Sequence, residues 1–441
     1  MESSRKRAQE FMHSRSMTAA EVDMDQSVQS FLSEMKTGLE SFDASLHMIP
    51  TYLNAEGELP FETPVLVLDA GGTNFRVAQV KFSDRGKTVI EKFQKFPMPG
   101  SQGLMHKDEF FETIVDYMQD VLDSWSSATS PHIGFCFSYP TEITPDKDGR
   151  LLHFSKEINA HEVEGELIGT NLRQSLKKRG YPEPAGMVLL NDTVATLLAG
   201  KAASTERPYS AFVGFILGTG TNSAYLEKNE NITKLPALPS TGSQIINIES
   251  GGFDKFRGGS IDQNFDQTTI KPGSYRFEKM ISGAYLGPLS SRVLEEAVEA
   301  DLFSGAAASE IKKLLPLDTV TVDRFLHNPY DGENKLAIAC ATQSDRSMCF
   351  TLVDTILERA AKLAAVNLSA TILKGESGQD PSCPVAICAD GTTFFKSKDL
   401  MFRTRYYIKQ YLQDQKGRYV EFIHNEDAPI IGAAVAALLD I

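Results

Sequence analysis

Apolar residues recur in two patterns along this chain, and each pattern predicts a different kind of element. Spacings of three and four residues predict helices with one buried face at 18–49, 108–122, 344–373 and 430–439. In the first of these the apolar positions are Met24, Val28, Phe31, Leu32, Met35 and Leu39. Short apolar runs bounded by turn residues predict buried strands at 65–68, 133–137, 187–190, 245–249 and 385–389. An alternating strand is expected at 87–96, a helix at 194–203, and the start of a further helical region at 276–283.

Two glycine-rich turns nearly repeat each other. The first reads Asp69-Ala70-Gly71-Gly72-Thr73-Asn74, and the second reads Leu217-Gly218-Thr219-Gly220-Thr221-Asn222. Each lies between two apolar runs, which predicts strand, turn and strand. Glycine adopts positive φ without strain, so such a turn can point successive N–H groups at an anion. One turn of this kind alone is compatible with an ordinary hairpin, whereas the duplication favours two turns that grip a polyphosphate.

Two other phosphate-binding motifs are excluded by the letters of the sequence. Gly86-Lys87-Thr88 resembles the end of a P-loop, but Lys81 stands where the first glycine of that motif is required. The second glycine turn begins like a dinucleotide fingerprint, yet Ser223 replaces its third glycine and a strand pattern follows instead of a helix.

Polar residues follow several of the expected strands. Ser138 follows the strand 133–137, Asp192 follows the strand 187–190, and Ser155-Lys156 follows the apolar run 151–154. Ligand contacts in α/β folds lie at the carboxyl ends of strands, which favours a functional role for these residues. The alternatives are that Asp192 caps the helix after it and that Ser155-Lys156 is a solvated surface pair. Glu249 and Glu278 could likewise each pair with a neighbouring lysine.

Composition limits the classes of protein and partner. A length of 441 residues is compatible with two or three domains, and 41 % hydrophobic and 23 % charged residues are typical of a soluble globular protein. The net charge of −14 disfavours binding to nucleic acid or anionic lipid. Five cysteines without a C-x-x-C pair indicate reduced thiols. The polar segment 1–17 lacks the apolar core of a signal peptide, so we expect a cytoplasmic protein.

These motifs together resemble the hexokinase family, and the resemblance covers essentially the whole chain. It rests on the stretches LDAGGTNFRV (68–77), FSYP (137–140), LNDTV (190–194), GTGTN (218–222), FEKMISG (277–283) and DGT (390–392). They occur in the family's order and at its approximate spacing. The resemblance implies an α/β protein with the actin-like ATPase fold, in which two ribonuclease-H-like domains enclose an interdomain cleft. Residues 60–210 plus 430–441 would form the small domain, and 18–59 plus 211–429 the large one.

The resemblance also implies roles for individual residues. Asp192 corresponds to the family's catalytic base and Lys156 to a catalytic lysine that offsets charge on the moving phosphoryl group. Asp69 matches the carboxylate near Mg2+. The expected hexose contacts are Ser138, Ser155, Lys156, Asn191, Asp192, Asn222, Glu249 and Glu278. The expected ATP contacts are Asp69, Gly71, Gly72, Thr73, Asn74, Arg76, Gly218, Thr219, Gly220, Thr221, Asp390, Gly391 and Thr392.

The implied reaction transfers the γ-phosphoryl group of MgATP to the 6-hydroxyl group of a hexose, which is the first step of glycolysis. Glucose is the expected substrate, with mannose, fructose and glucosamine as further candidates. A catalytically silent, sugar-sensing regulator of the same fold stays open as an alternative, whereas an actin-like ATPase chaperone would need a substrate-binding extension. The expected partners are a hexose and MgATP, without nucleic acid or membrane, and the expected assembly is a monomer or homodimer.

One position departs from the family pattern. The family usually has an aromatic residue after the glutamate of its Asn-x-Glu-Trp-Gly motif, and this chain has Ser250 there. Without the ring we expect Glu249 to be less shielded, and the hexose preference to differ from that of other family members.

Overall fold

The structure, a computed structural model, describes residues 2–55, 57–72, 74–83, 87–125, 130–154, 158–203 and 207–440. Strands and helices are numbered in chain order. The strands are β1 (Ile49–Pro50), β2 (Val65–Gly71), β3 (Asn74–Phe82), β4 (Thr88–Pro97), β5 (His132–Phe137), β6 (Thr141–Ile143), β7 (Gly149–Leu151), β8 (Gly186–Leu190), β9 (Ala211–Leu217), β10 (Thr221–Lys228), β11 (Ser243–Asn247), β12 (Val385–Asp390) and β13 (Val420–Ile423).

Helices occupy most of the remaining described chain. They are α1 (Glu2–Ser14), α2 (Met24–Glu40), α3 (Lys107–Asp123), α4 (Ile168–Lys178), α5 (Asp192–Ala203), α6 (Ser260–Gln267), α7 (Arg276–Ile281), α8 (Gly283–Glu299), α9 (Gly305–Leu314), α10 (Thr319–His327), α11 (Lys335–Ala339), α12 (Gln343–Lys374), α13 (Thr392–Lys396), α14 (Leu400–Ile408) and α15 (Ala428–Leu438). Within the described ranges, no helix is both long enough and apolar enough to cross a bilayer.

Two mixed sheets repeat one topology. The N-terminal sheet has the order β4-β3-β2-β5-β8, and the C-terminal sheet has the order β1-β11-β10-β9-β12-β13. In the first, β2, β3 and β4 form an antiparallel meander, while β5 pairs parallel to β2 and β8 parallel to β5. In the second, β9, β10 and β11 form the meander, and β12 and β13 continue it in parallel. The hairpins β2–β3 and β9–β10 therefore place the two glycine turns at equivalent corners.

The predicted elements are largely confirmed. The helices expected at 108–122, 344–373 and 430–439 are α3, α12 and α15, each within two residues of the expected limits. The helix expected within 18–49 is α2, and it buries Val28, Phe31 and Met35. The strand expected to end at Glu249 ends at Asn247, because the backbone at Glu249 turns into the left-handed region with φ 58°.

Several helices were not predicted: α1, α4, α6, α9, α10, α11, α13 and α14. The polar segment at the start of the chain contains α1, whose Ala8, Phe11 and Met12 are buried in the same apolar cluster as the residues of α12. The remainder of α1 is polar, so its few apolar positions give only a weak helical periodicity in the sequence.

Helices α5 and α15 lie between the two sheets. Helix α5 packs against β9, α15 packs against β2 and β5, and the two helices contact each other. Glycines allow this close approach, since a Cβ on Gly214 would overlap the carbonyl oxygen of Thr193 and a Cβ on Gly134 would overlap that of Ala433. The division of the chain into a small and a large domain at the expected boundaries stays a prediction.

Replacing Gly214 with alanine is expected to lower the free energy of unfolding by about 1–3 kcal/mol, because the added methyl group forces α5 away from β9. Urea unfolding measures this loss, and kcat should fall with it because Thr193 adjoins Asp192. Gly305→Ala is the matched control, since a Cβ on Gly305 meets no atom within 4 Å. Equal stability of the two variants would contradict the close packing of α5 on the C-terminal sheet.

Candidate active site

Three of the expected site positions meet at one edge of the N-terminal sheet. Parallel pairing sets Asp69 of β2 opposite Cys136 of β5, and the N–H of Ser138 donates to the carbonyl oxygen of Ala70 at 3.1 Å. Strand β8 lies beside β5 and ends at Leu190, so α5 begins with Asp192 at the same edge. The carboxyl ends of the parallel strands therefore bring Asp69, Ser138 and Asp192 together, as expected for an α/β ligand site.

Asp69 is a buried carboxylate that shares its site with one cation and one anion. Its side chain is 2 % exposed, and Nη1 of Arg76 donates to its Oδ2 at 2.7 Å. Burial raises the pKa of Asp69, the Arg76 guanidinium opposes that shift, and the charge of Asp192 adds to it. Arg76, expected as an ATP contact, is thus also the ion-pair partner of the expected magnesium carboxylate.

A buried thiol belongs to the same group, although the sequence offered no reason to select it. Cys136 interacts with Asp69, and its Sγ lies 4.0 Å from Oγ of Ser138. Burial raises the pKa of the Cys136 thiol well above its usual value, so the thiol stays protonated and serves as a weak donor. The period-two alternation of β5 alone predicts an apolar role for this position.

Asp192 is not the cap of α5. The Oδ1 of Asn191 accepts from the N–H of Thr193 at 2.9 Å, so Asn191 makes the capping hydrogen bond. The Asp192 carboxylate accepts from Oγ1 of Thr193 at 3.3 Å and is partly exposed. Its charge contributes to raising the pKa of Asp69 on one side and of Glu249 on the other. Asp192 therefore interacts electrostatically with a carboxylate of the N-terminal sheet and with one beside the C-terminal sheet.

Two amides and one carboxylate form a cluster at the edge of the C-terminal sheet. Oε1 of Glu249 accepts from Nδ2 of Asn247 at 2.9 Å and from Nδ2 of Asn222 at 3.2 Å. The Asn222 amide also donates to Oδ1 of Asn247 at 2.6 Å. Both donors engage Oε1, so Oε2 of Glu249 is the oxygen best placed for a ligand hydroxyl group.

Asn247 was not among the expected site residues. It lies on β11 two positions before Glu249 and is buried, with 6 % exposure. A buried polar side chain in a strand of isoleucines is the signal that could have identified it. Burial raises the pKa of Glu249 and the two amides partly offset the shift, so the cluster stabilises a carboxylate that is largely removed from water.

Glu278 connects this cluster to the second glycine turn. Its Oε2 accepts from the N–H of Thr221 at 2.9 Å, and a Cβ on Gly220 would lie 2.6 Å from the same oxygen. Burial raises the pKa of Glu278 to about 7, the Thr221 N–H lowers it, and the charge of Glu249 raises it further. The alternative in which Glu278 merely pairs with a lysine does not account for these contacts.

The raised pKa of Glu278 predicts a pH dependence. Hexose hydroxyl groups donate to the ionised carboxylate, so kcat/KM for the hexose should fall toward about tenfold per pH unit below pH 7 and level off above it. Glu278→Gln keeps an acceptor oxygen and should show a lower but flatter profile. Rate measurements at saturating MgATP test this, and an unchanged acidic limb in the variant would assign the limb to another group.

The second glycine turn is held by its carbonyl oxygens. The oxygen of Gly218 accepts from the N–H of Gly283 and from Oγ1 of Thr393, both at 2.8 Å, and the oxygen of Thr219 accepts from the N–H of Ala284 at 3.0 Å. Among the described residues, no hydrogen bond uses the N–H of Thr219 or of Gly220. The turn therefore offers its donors to a ligand while its acceptors bind the protein, as an anion cradle requires.

The Asp390-Gly391-Thr392 turn lies directly against the second glycine turn. Strand β12 runs parallel to β9. Gly391 adopts φ +117°, and the position that a Cβ would occupy lies against the carbonyl group of Leu217. A side chain at Gly391 would overlap that carbonyl group, so only glycine allows the two turns to meet. Thr392 begins α13, and Asp390 accepts from the N–H of Gly391 at 2.6 Å.

The first glycine turn is described in part. Gly72 adopts φ +59°, its carbonyl oxygen accepts from the Tyr139 hydroxyl group at 2.8 Å, and Gly71 pairs with Asn74. Thr73, Ser155 and Lys156 lie outside the described residues. Strand β7 ends at Leu151, so the Ser155-Lys156 pair does not follow directly on a strand as expected.

The donor set fits a magnesium ion that arrives with a nucleotide rather than a resident metal centre. Within the described ranges, no group of three or more His, Cys, Asp or Glu side chains could hold a metal ion. Asp69 and Asp192 are hard oxygen donors, and Mg2+ is commonly bound by one or two carboxylates plus phosphate and water. Oδ1 of Asp69 would lie 3.5 Å from a Cβ on Gly71, which places this oxygen beside the first glycine turn.

Comparison with protein-family models gives the same family for both halves of the chain. Two family models, both described as Hexokinase, match residues 8–202 and 212–439. Hexokinase-1 of Schizosaccharomyces pombe is 29 % identical over 426 residues, covering 93 % of this chain and 86 % of that protein. Hexokinase-1 of Spinacia oleracea is 29 % identical over 432 residues, covering 92 % of this chain and 85 % of that protein.

Solved structures show the same architecture. A hexokinase from Schistosoma mansoni complexed with glucose superposes with a TM-score of 0.76 at 23 % identity, covering 98 % of this chain and 99 % of that one. A glucokinase from Balamuthia mandrillaris in complex with glucose has a TM-score of 0.51 at 14 % identity, covering 85 % of this chain and 93 % of that one. The fold is that of the actin-like ATPases.

Proposed function

Because this chain belongs to the hexokinase family of hexose-phosphorylating enzymes, we propose that it transfers the γ-phosphoryl group of MgATP to the 6-hydroxyl group of glucose. The observation that carries this proposal is that the charge of Asp192 acts on both Asp69 and Glu249. Asp69 adjoins the first glycine turn, and Glu249 belongs to the amide–carboxylate cluster. A carboxylate near both is suited to contact both a sugar and a phosphate.

In the proposed reaction Asp192 accepts the proton of the 6-hydroxyl group. Phosphoryl transfer passes through a loose transition state, so the enzyme contributes mainly orientation, charge compensation and a proton acceptor. Asn191, rather than Asp192, makes the capping hydrogen bond of α5.

The amide–carboxylate cluster is proposed to bind the remaining hydroxyl groups. Glu249 and Glu278 supply acceptors and the Asn191 amide nitrogen supplies a donor, while Asn222 donates to Glu249 and Asn247, a set that suits vicinal hydroxyl groups. Ser138 lies beside Ala70, at the edge of the N-terminal sheet. The family resemblance assigns Ser155 and Lys156 to the same substrate, with the lysine opposing charge on the moving group.

The two glycine turns are proposed to hold the nucleotide phosphates. The free N–H groups of Thr219 and Gly220 provide the cradle on the C-terminal sheet, and the Asp390-Gly391-Thr392 turn adjoins it. Asp69 would hold the magnesium ion through Oδ1, while Nη1 of Arg76 donates to Oδ2. Bound Mg2+ neutralises charge on the phosphate oxygens.

A coupled ADP assay tests the proposal. Purified protein with MgATP should release ADP only when a hexose is added, with glucose preferred over mannose, fructose and glucosamine. EDTA in excess over magnesium should abolish the signal, and added Mg2+ should restore it. Equal ADP release without sugar would contradict the proposal, and hexose binding without ADP release would support the silent regulator instead.

Assembly and location belong to the proposal as well. We propose a monomer or homodimer, which sedimentation analysis tests, and a cytoplasmic location. All five cysteines are free, and buried reduced thiols are typical of a reducing compartment.

A further inference from the structure

A buried hydrogen-bonded bridge lies behind the amide–carboxylate cluster. Nδ2 of Asn367, on α12, donates to Oγ of Ser250 at 3.1 Å, and Oγ of Ser223 donates to Oδ1 of Asn367 at 2.8 Å. All three side chains are completely buried. The Ser250–Asn367–Ser223 bridge thus connects the central helix to two separate segments of the C-terminal part of the chain.

Both ends of the bridge directly follow an expected hexose contact. Ser223 follows Asn222, and Ser250 follows Glu249. The N–H groups of Ser223 and Ser250 also donate to Oδ1 of Asn222, at 2.7 and 3.3 Å. This leaves the amide nitrogen of Asn222 directed at Glu249. The same two serines that Asn367 holds therefore orient Asn222 relative to Glu249.

The backbone at Glu249 needs such support. It adopts φ 58° and ψ 48°, a left-handed conformation that side-chain-bearing residues rarely adopt and that persists only where the surroundings enforce it. The 3-10 turn Ser250–Gly252 follows immediately, and its first side chain is the one that Asn367 holds. Asn367 is itself part of α12, where Oγ1 of Thr371 donates to the backbone carbonyl oxygen of Asn367 at 2.9 Å.

Ser250 and Asn367 depend on each other. Ser250 stands where the family usually has an aromatic residue, and a buried hydroxyl or amide group without a partner is destabilising. Each supplies the partner that the other lacks. Ser250 does not line the pocket in place of the aromatic ring, since its hydroxyl group binds α12.

We propose that Asn367 is a positioning residue for hexose binding. It acts through Ser250 and Ser223 to hold the side chains of Glu249 and Asn222 in their relative positions. This inference rests on the proposed hexose phosphorylation for its kinetic consequence, but its structural part is independent of catalysis. It predicts that loss of the bridge weakens the hexose site selectively and leaves the nucleotide side unchanged.

Asn367→Leu removes the bridge at nearly constant volume. We expect the KM for the hexose to rise about tenfold or more, while the KM for ATP stays within about twofold. Amide hydrogen exchange at 250–253, measured without substrates, should become faster. Ser250→Ala removes one end only and serves as a second variant should Asn367→Leu fold poorly, with the same direction of change.

Ser369→Ala is the matched control. Ser369 is completely buried on the same helix, and its hydroxyl group has no partner among the described residues. It should change neither the hexose KM nor exchange at 250–253. A lowered melting temperature in Asn367→Leu with an unchanged hexose KM would overturn the proposal, because it would show a structural role alone. If the wild-type protein released no ADP with any hexose, the proposed function would fail, and exchange at 250–253 would still decide whether Asn367 holds the turn.

Discussion

Replacing Asp192 with alanine is expected to lower kcat for hexose phosphorylation by about 10²–10⁴-fold, the usual contribution of a positioned proton acceptor. The KM for the hexose should change far less, because Asn222 and Asn247 hold Glu249 in place through their own hydrogen bonds. Removing the Asp192 charge also relieves the repulsion that raises the pKa of Asp69 and Glu249, so both carboxylates ionise more readily in the variant. A coupled ADP assay under saturating conditions measures the effect.

Asp192→Asn separates chemistry from shape. It keeps the size of the side chain and should lose as much turnover as the alanine variant, because an amide cannot accept the proton. Asp427→Ala is the control, since Asp427 is an exposed aspartate at the start of α15. If either Asp192 variant retained kcat within a few-fold of the wild-type value, Asp192 would not be the base.

Of the substitutions considered, removing Glu249 should have the largest effect on hexose binding. Glu249→Ala deletes the acceptor of the Asn222 and Asn247 amides and the oxygen proposed to bind the sugar, so the KM for the hexose should rise about 10–100-fold. The KM for ATP should change little, because the second glycine turn is held by Gly283, Ala284 and Thr393 rather than by Glu249. Isothermal titration with glucose measures the affinity without turnover.

Glu230→Ala provides the comparison for that experiment. Glu230 is an exposed glutamate on the same sheet's connecting segment, so its loss should leave both KM values unchanged. A Glu249→Ala enzyme with wild-type hexose affinity would show that the amide–carboxylate cluster is structural, and would remove it from the proposed site.

The glycine turns explain why much of the candidate site could be predicted. Both turns, and the polar residues after β5 and β8, are local signals that the chain carries whatever its packing. Helix α1 was missed because its apolar contribution to the core is small, consisting of Ala8, Phe11 and Met12 among the described residues. Cys136 and Asn247 were missed because a thiol or an amide inside an apolar strand acquires a role only from what faces it across the sheet or the cleft.

The sequence by itself determined most strands of the two large sheets, some of the helices, the duplicated turns and the family, because periodicity and turn chemistry act over a few residues. Only the tertiary structure decided that Asn191 rather than Asp192 caps α5, that Arg76 pairs with Asp69, and that burial raises the pKa of Glu278 to about 7. It also joined Ser250 to Asn367, which lie 117 positions apart. Burial and long-range hydrogen bonds depend on how helices such as α5 and α12 pack on the rest of the protein. No pattern of neighbouring residues in the sequence predicts that packing.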